Sequence, residues 1–332
     1  MVESTGPKAT NDIQLSNILG DQLIQAIDIG ARGQSELPFM QLVPHKVKLI
    51  GFEPDAVACA KLNARSSSQQ FFPYAIGQAR QERDFYVLKL EDLSSLLPPS
   101  AAMKNRDPFL VKSVRKVSTH ALDELKSRGL WQGAIDFVKL DTQGSELEIL
   151  ESGREVLRET LMVACETEFF EMYENQPRFS EVEQFMRTAG FDLLSLDHHS
   201  AWSTREGIDL TRRKITWADT VFVKSDRYFE SLADDLRAQQ VKKCAVLLAS
   251  YGFFGEALRL MHKYTVPTIA LQLWIAEVQR SSGSPIWRLR LLKAGLRCLF
   301  WPSFRNRLAL ARLCTQIPFG ENVFRFTGLG KV

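Results

Sequence analysis

The sequence predicts an α/β fold, a mostly parallel sheet with helices on both faces, followed by a region built of helices alone. Three observations carry this. Short runs rich in Ile, Val, Leu and Phe alternate with helix-compatible stretches from residue 23 to residue 224. A glycine-bearing turn, Asp28-Ile29-Gly30-Ala31-Arg32-Gly33, follows the first of these runs. After Lys224 every segment reads at helical spacing. The chain has 332 residues, 45% hydrophobic and 24% charged, which excludes a low-complexity or largely disordered polymer. That length supports one large core and a smaller appended unit.

In chain order, residues 1–19 are polar with scattered apolar positions and form an arm or a short helix. Residues 23–29 are a buried strand stopped by Gly30, and residues 35–42 are helix-compatible up to Pro44. Residues 47–52 are a second strand, 55–64 a helix and 71–76 a third strand. Two strand-like runs, 84–88 and 113–117, flank a Ser/Pro-rich loop at 94–99. A short helix at 122–128 precedes a strand at 135–140 that ends at Asp141, and a helix follows at 145–151. Residues 161–165 are a strand, 181–188 a helix, and 191–196 and 220–223 two strands with no helix between them, which favours antiparallel pairing. The expected division is an arm at 1–19, an α/β domain at 20–225 and a helical domain at 226–332.

Charge separates the two larger parts. Residues 225–332 carry 16 Lys/Arg against 7 Asp/Glu, a net +9, whereas residues 1–224 carry −6. No acidic residue stands between Glu277 and Glu321, where eight basic ones alternate with Trp287, Phe300, Trp301 and Phe304. Residues 280–312 are therefore a candidate for contact with an anionic membrane surface, against the plainer reading of helices packed on the acidic domain; nucleic acid is the weaker partner. No run of about 18 uncharged apolar residues is present and the first twenty residues lack a signal-peptide pattern, so the expected location is cytoplasmic, with the inner membrane face as a peripheral site. Five cysteines in no C-x-x-C pair read as buried free thiols.

Three constellations carry chemistry. The turn after the first strand opens on Asp28, where a dinucleotide fingerprint would have glycine. An acid there repels a pyrophosphate and suits a cationic ligand such as S-adenosylmethionine; a plain strand-to-helix turn is the alternative. Glu53 ends the second strand and can accept two ribose hydroxyls, which fits a dinucleotide or S-adenosylmethionine equally. The third, Asp136-Phe137-Val138-Lys139-Leu140-Asp141-Thr142-Gln143-Gly144-Ser145-Glu146, places Asp141 at the carboxyl end of a central strand, where open α/β sheets bind ligands. Asp141 also reads as a helix cap, and Glu146 as an acid favoured by the helix dipole.

In order, AIDIGARG (26–33), IGFEP (50–54), PYAIG (73–77), SSL (94–96), HALDEL (120–125) and DFVKLDTQGSELEIL (136–150) resemble the FkbM family of S-adenosylmethionine-dependent methyltransferases over roughly residues 20–225. The resemblance implies a class I, Rossmann-like methyltransferase domain with a seven-stranded sheet, and O-methyl transfer to sugar or polyketide hydroxyls. It implies that Asp28, Gly30 and Gly33 flank the methionine part of the cofactor, that Glu53 holds the ribose, that Tyr74 and Ala75 flank the adenine, and that Asp141 faces the methyl. Gln143 departs from the family, where this position is often acidic.

An alcohol nucleophile benefits from a general base, worth about 10²–10⁴-fold. Asp141 is the first candidate, followed by Glu166 and Glu168, with His198 and His199 beyond the strand at 191–196. Glu168 and His198 join Asp141 as the expected catalytic residues. Asp141, Glu166, Glu168 and a histidine would suit a hard cation if they converged; no metal is assigned. The expected function is methyl transfer to a hydroxyl of a sugar, glycan or lipid-linked saccharide. Alternatives are a natural-product hydroxyl acceptor and an inactive cofactor-binding scaffold. Acceptor specificity is expected from residues 78–115 and 169–180.

Overall fold

A computed structural model describes residues 18–31, 37–39, 44–64, 69–200 and 215–281. The arm up to residue 17, Gly33 and the basic segment after residue 281 lie outside the described residues.

The central sheet holds seven strands. They are β1 (Ile24–Ile29), β2 (Val47–Phe52), β3 (Gln69–Phe72), β7 (Phe137–Leu140), β8 (Met162–Glu168), β9 (Phe191–Ser200) and β10 (Ile215–Lys224), in the spatial order β3-β2-β1-β7-β8-β10-β9. β1 pairs in parallel with β2 on one side and β7 on the other, so the chain's direction of winding reverses between them. A crevice opens there at the carboxyl ends of the strands. β10 runs antiparallel to both β8 and β9, the pairing expected for the last two predicted strands. This is the strand order of a class I methyltransferase domain, with one antiparallel hairpin at its edge.

The run at 71–76 divides in the structure. Pro73 withholds an amide proton, β3 ends at Phe72, and β4 (Ala75–Ile76) joins a separate sheet ordered β4-β6-β5. β5 (Gln81–Leu88) and β6 (Val111–His120) form its long antiparallel hairpin.

Helices cover both faces. On one face, α2 (Leu122–Ser127), α3 (Glu146–Ser152), α4 (Arg154–Glu159) and α5 (Phe179–Thr188) enclose Ile27, Ile29, Val138 and Leu140. On the other face, α1 (Ala56–Asn63) begins at Asp55, whose carboxylate accepts the Val57 and Ala58 amides at 2.9 Å. The same face takes helices from beyond residue 225. After the short α6 (Asp226–Glu230), α7 (Asp234–Ser250) buries Val241 and Cys244–Ala249 in one cluster with Ile24, Ala26, Phe39 and Phe137. α8 (Phe254–Lys263) and α9 (Ile269–Ser281) add Leu260, Met261 and Trp274 to that cluster. The change to helix at residue 225 is thus a change of secondary structure within one continuous apolar core. Asp136, fully buried at the start of β7, joins the layers: it accepts the Gln25 amide at 2.8 Å and pairs with Lys243 of α7 at 3.0 Å. No described helix is long and apolar enough to cross a membrane.

Candidate active site

A cavity of about 610 Å³ lies over the carboxyl ends of β1, β2, β7 and β8 and the first half of the antiparallel β10. Its volume is in the range of sites that enclose small ligands.

The β1 turn forms one wall. Gly30 has φ +84°, and a Cβ there would stand 2.0 Å from the Asp141 carbonyl oxygen, so only glycine lets β1 and β7 approach this closely. Asp28 lies behind this wall. It is fully buried, and neither carboxylate oxygen has a hydrogen bond among the described residues. Its counter-charge is Lys139, directly opposite on β7, with Nζ 3.7 Å from Asp28 Oδ1 and 3.4 Å from Asp141 Oδ2. Lys139 does line the cavity. Burial alone would lower its pKa, but Asp28 and Asp141 hold the ammonium above the ordinary lysine range.

Glu53, buried at the end of β2, lines the next stretch and accepts the Asp55 amide at 2.8 Å. Beyond it, Tyr74, Ala75 and Ile76 form an apolar end. The Tyr74 ring stacks on Phe72 at 6.1 Å and tilts against His120 at 4.6 Å, which fixes its plane.

The β7–α3 turn shapes the floor. Gln143 stands at φ +60° and Gly144 at φ +105°. This turn is held by Glu146: Oε1 accepts the Thr142 amide at 2.8 Å and the Thr142 hydroxyl at 2.9 Å, and Oε2 accepts the Gly144 amide at 2.8 Å. Glu146 is a clamp on the turn and not merely a charge at a helix start. Gln143 Nε2 in turn donates to Asp141 Oδ1 at 2.9 Å and to Glu166 Oε1 at 3.3 Å, placing a neutral amide between two cavity carboxylates.

Glu166 faces a row of acids. The register sets it opposite Asp219 of β10, which is opposite Asp197 of β9, and all three line the cavity. Burial, and then the neighbouring carboxylates beginning with Asp141, raise the Glu166 pKa well above the ordinary carboxyl range.

The expected site residues are distributed as follows. Gly30, Glu53, Tyr74, Ala75 and Asp141 meet around the one cavity, with Asp28 just behind its wall. Glu168 does not line it; the side chain is 1% exposed, and burial and then Glu146 raise its pKa. His198 stands within β9 opposite Ala218, so the histidines extend the strand expected to end near Leu196. Among the described residues no group of acids, histidines or cysteines has the geometry to hold a metal ion. Lys139, Trp217 and Tyr251 line the cavity without having been singled out in the sequence. Alternation along β7 places Lys139 on the face of Asp141 and so could have marked it; Trp217 and Tyr251 carry no local signal.

The profile of the family described as the methyltransferase FkbM domain matches residues 28–193. The chain belongs to the FkbM methyltransferase family. It is an S-adenosylmethionine-dependent methyltransferase. The chain is 29% identical over 189 residues to the 2-O-methyltransferase NoeI of Sinorhizobium fredii (strain NBRC 101917 / NGR234), spanning 51% of this chain and 77% of NoeI. Similar solved structures include the magnesium protoporphyrin IX methyltransferase ChlM of Synechocystis PCC 6803 with bound SAM, at 12% identity and TM-score 0.33 over 66% of this chain and 79% of that one. The N-methyltransferase NodS of Bradyrhizobium japonicum WM9 is another, at 6% identity and TM-score 0.31 over 68% of this chain and all of NodS.

The FkbM cavity fits the cofactor. Glu53 offers a buried carboxylate of the kind that suits a ribose diol, the Tyr74–Ile76 end suits an adenine, and the carboxylates around Asp141 suit a sulfonium.

Proposed function

We propose that this enzyme transfers a methyl group to a hydroxyl of a saccharide or of a small polyhydroxylated acceptor, with Glu166 as the general base. The observation that carries the reading is Glu166 itself: a half-buried carboxylate on the cavity wall, with a raised pKa, tied through Gln143 to Asp141. The name of NoeI, a 2-O-methyltransferase, supports oxygen as the atom methylated.

Bound S-adenosylmethionine supplies an electrophilic methyl. Glu53 anchors the ribose, Tyr74 and Ala75 flank the adenine, and Gly30 and Lys139, with Asp28 behind them, shape the wall beside the methionine part. Asp141 lies at the switch point, where its carboxylate would attract the cationic sulfonium and help to orient the methyl toward the acceptor. Glu166 accepts the hydroxyl proton as the new oxygen–carbon bond forms. Its raised pKa makes it a stronger base than an ordinary carboxylate, and the acids beside it favour the protonated product. Trp217 and Phe85, which also line the cavity, offer apolar faces to a sugar ring.

The test is release of S-adenosylhomocysteine with a panel of monosaccharides, oligosaccharides and small alcohols. Glu166→Gln is expected to lower kcat by about 10²–10⁴-fold with little change in cofactor affinity. In the wild type the rate falls with acid through a pKa above the usual carboxyl range, because the base must be ionised, and the variant loses that limb. Transfer to amines alone would overturn the hydroxyl reading, and an undiminished rate in Glu166→Gln would remove Glu166 as the base.

A further inference from the structure

One wall of the cavity comes from outside the family-matched residues 28–193. Tyr251 follows the last residue of α7. Its amide donates to the Leu247 carbonyl at 3.1 Å. Gly252, at φ +85°, then reverses the chain, and the Phe253 amide returns to the Leu248 carbonyl at 2.9 Å. The ring packs against the touching pair Phe39 and Phe137, with centroids 6.5 and 5.6 Å away. Helix end, turn and aromatic neighbours together fix the side chain where it meets the cavity. No hydrogen bond engages its hydroxyl among the described residues.

The position along the cavity identifies what this hydroxyl meets. The nucleoside half belongs to Glu53 and to the Tyr74–Ile76 end, over β2 and β4. Tyr251 approaches from the opposite flank, against Phe137 of β7 and Phe39 beyond the β1 turn. A ligand with its ribose at Glu53 directs its 5′ substituent away from the adenine end and toward that flank. For S-adenosylmethionine this substituent ends in an amino acid, whose carboxylate needs donors. Carboxylates outnumber the single ammonium of Lys139 on the described lining. Burial, followed by Asp28 and Asp219, pushes the Tyr251 pKa up, so the hydroxyl keeps its hydrogen at every working pH and is a donor.

We propose that Tyr251 is a positioning residue that donates its hydroxyl hydrogen to the amino-acid carboxylate of bound S-adenosylmethionine. The helices after residue 225 thereby help to place the reactive methyl. The proposal rests on the assignment of Glu53 to the ribose.

The test uses calorimetric titration of the full chain with two ligands, S-adenosylhomocysteine and 5′-methylthioadenosine, which shares the nucleoside and thioether but lacks the amino acid. Tyr251→Phe keeps the ring and its packing. It is expected to weaken S-adenosylhomocysteine about ten-fold and to leave 5′-methylthioadenosine within about two-fold. Glu53→Ala is expected to weaken both ligands. If the wild type binds both ligands and Tyr251→Phe changes neither, or weakens both equally, the proposal is overturned while the cofactor site stands. If the wild type binds neither, the cofactor site and the proposal fall together.

Discussion

Gly30 and Gly252 share a backbone conformation, at φ +84° and φ +85°, but their surroundings differ. At Gly30 an added Cβ meets the Asp141 carbonyl oxygen at 2.0 Å, whereas at Gly252 nothing lies within 4 Å. Gly252→Ala should therefore cost only the left-handed conformation, about 1–2 kcal/mol. Gly30→Ala carries that cost and must also part β1 from β7, for a total of about 3–5 kcal/mol. Urea midpoints of the two variants measure the difference. Only Gly30→Ala should also weaken cofactor binding, because Asp141 moves with its backbone. The glycine's place after Asp28 was legible in the sequence. The atom it avoids, 111 residues further along, was not, because only the pairing of β1 with β7 brings the two together.

At the scale of the element, the β7–α3 turn converts a local sequence into a site. Asp141, Thr142, Gln143 and Gly144 were legible as a ligand-binding turn because a strand ends there and glycine permits the reversal. Its function depends on contacts made sideways. Glu146 satisfies two turn amides and a hydroxyl, and Gln143 is held from beyond the turn: the Ser95 hydroxyl donates to its carbonyl at 2.7 Å, and the Tyr173 hydroxyl to its Oε1 at 3.2 Å. Glu146→Ala would leave buried donors unmatched at about 1–3 kcal/mol each. The expected result is a lower melting temperature and a larger loss in kcat than in cofactor affinity, read by calorimetry and steady-state kinetics. The choice of Glu166 over Glu168 has the same origin. Both project from the same face of β8, and the sequence could not separate them. The sheet could: Glu166 lies level with the cavity, and Glu168 lies beyond it, under a fully closed surface.

At the scale of the molecule, the described layers on either side of residue 225 share one apolar core. Lys243 makes a charged contact between them, and its side chain is 14% exposed against a fully buried Asp136. Burial raises the Asp136 pKa, Lys243 and the Gln25 amide oppose the rise, and removing the ammonium removes much of that opposition. Lys243→Met should cost about 3–5 kcal/mol at neutral pH. A carboxyl with a raised folded pKa is least harmful when protonated, so the deficit should shrink on acidification toward the unfolded value. Chemical denaturation at pH 7 and pH 5 checks both the size and the sign. Helical periodicity made α7 legible as a helix, and charge made the region after residue 225 look separate. Neither could show that Cys244–Ala249 would be buried on all sides against Phe39 and Phe137, since burial of that kind is a property of the partner surface.

The same long-range pairing has a consequence during synthesis. β1 leaves the ribosome before both of its neighbours in the finished sheet, β2 and β7. The Gln25 amide waits 111 residues for the Asp136 carboxylate. At about 5–20 residues per second this is on the order of 5–20 s in which one side of β1 is an open edge, able to pair with any passing strand. Asp28 is the single charge in that strand, so until Lys139 arrives an uncompensated carboxylate stands on the edge and discourages mispairing of a nascent chain.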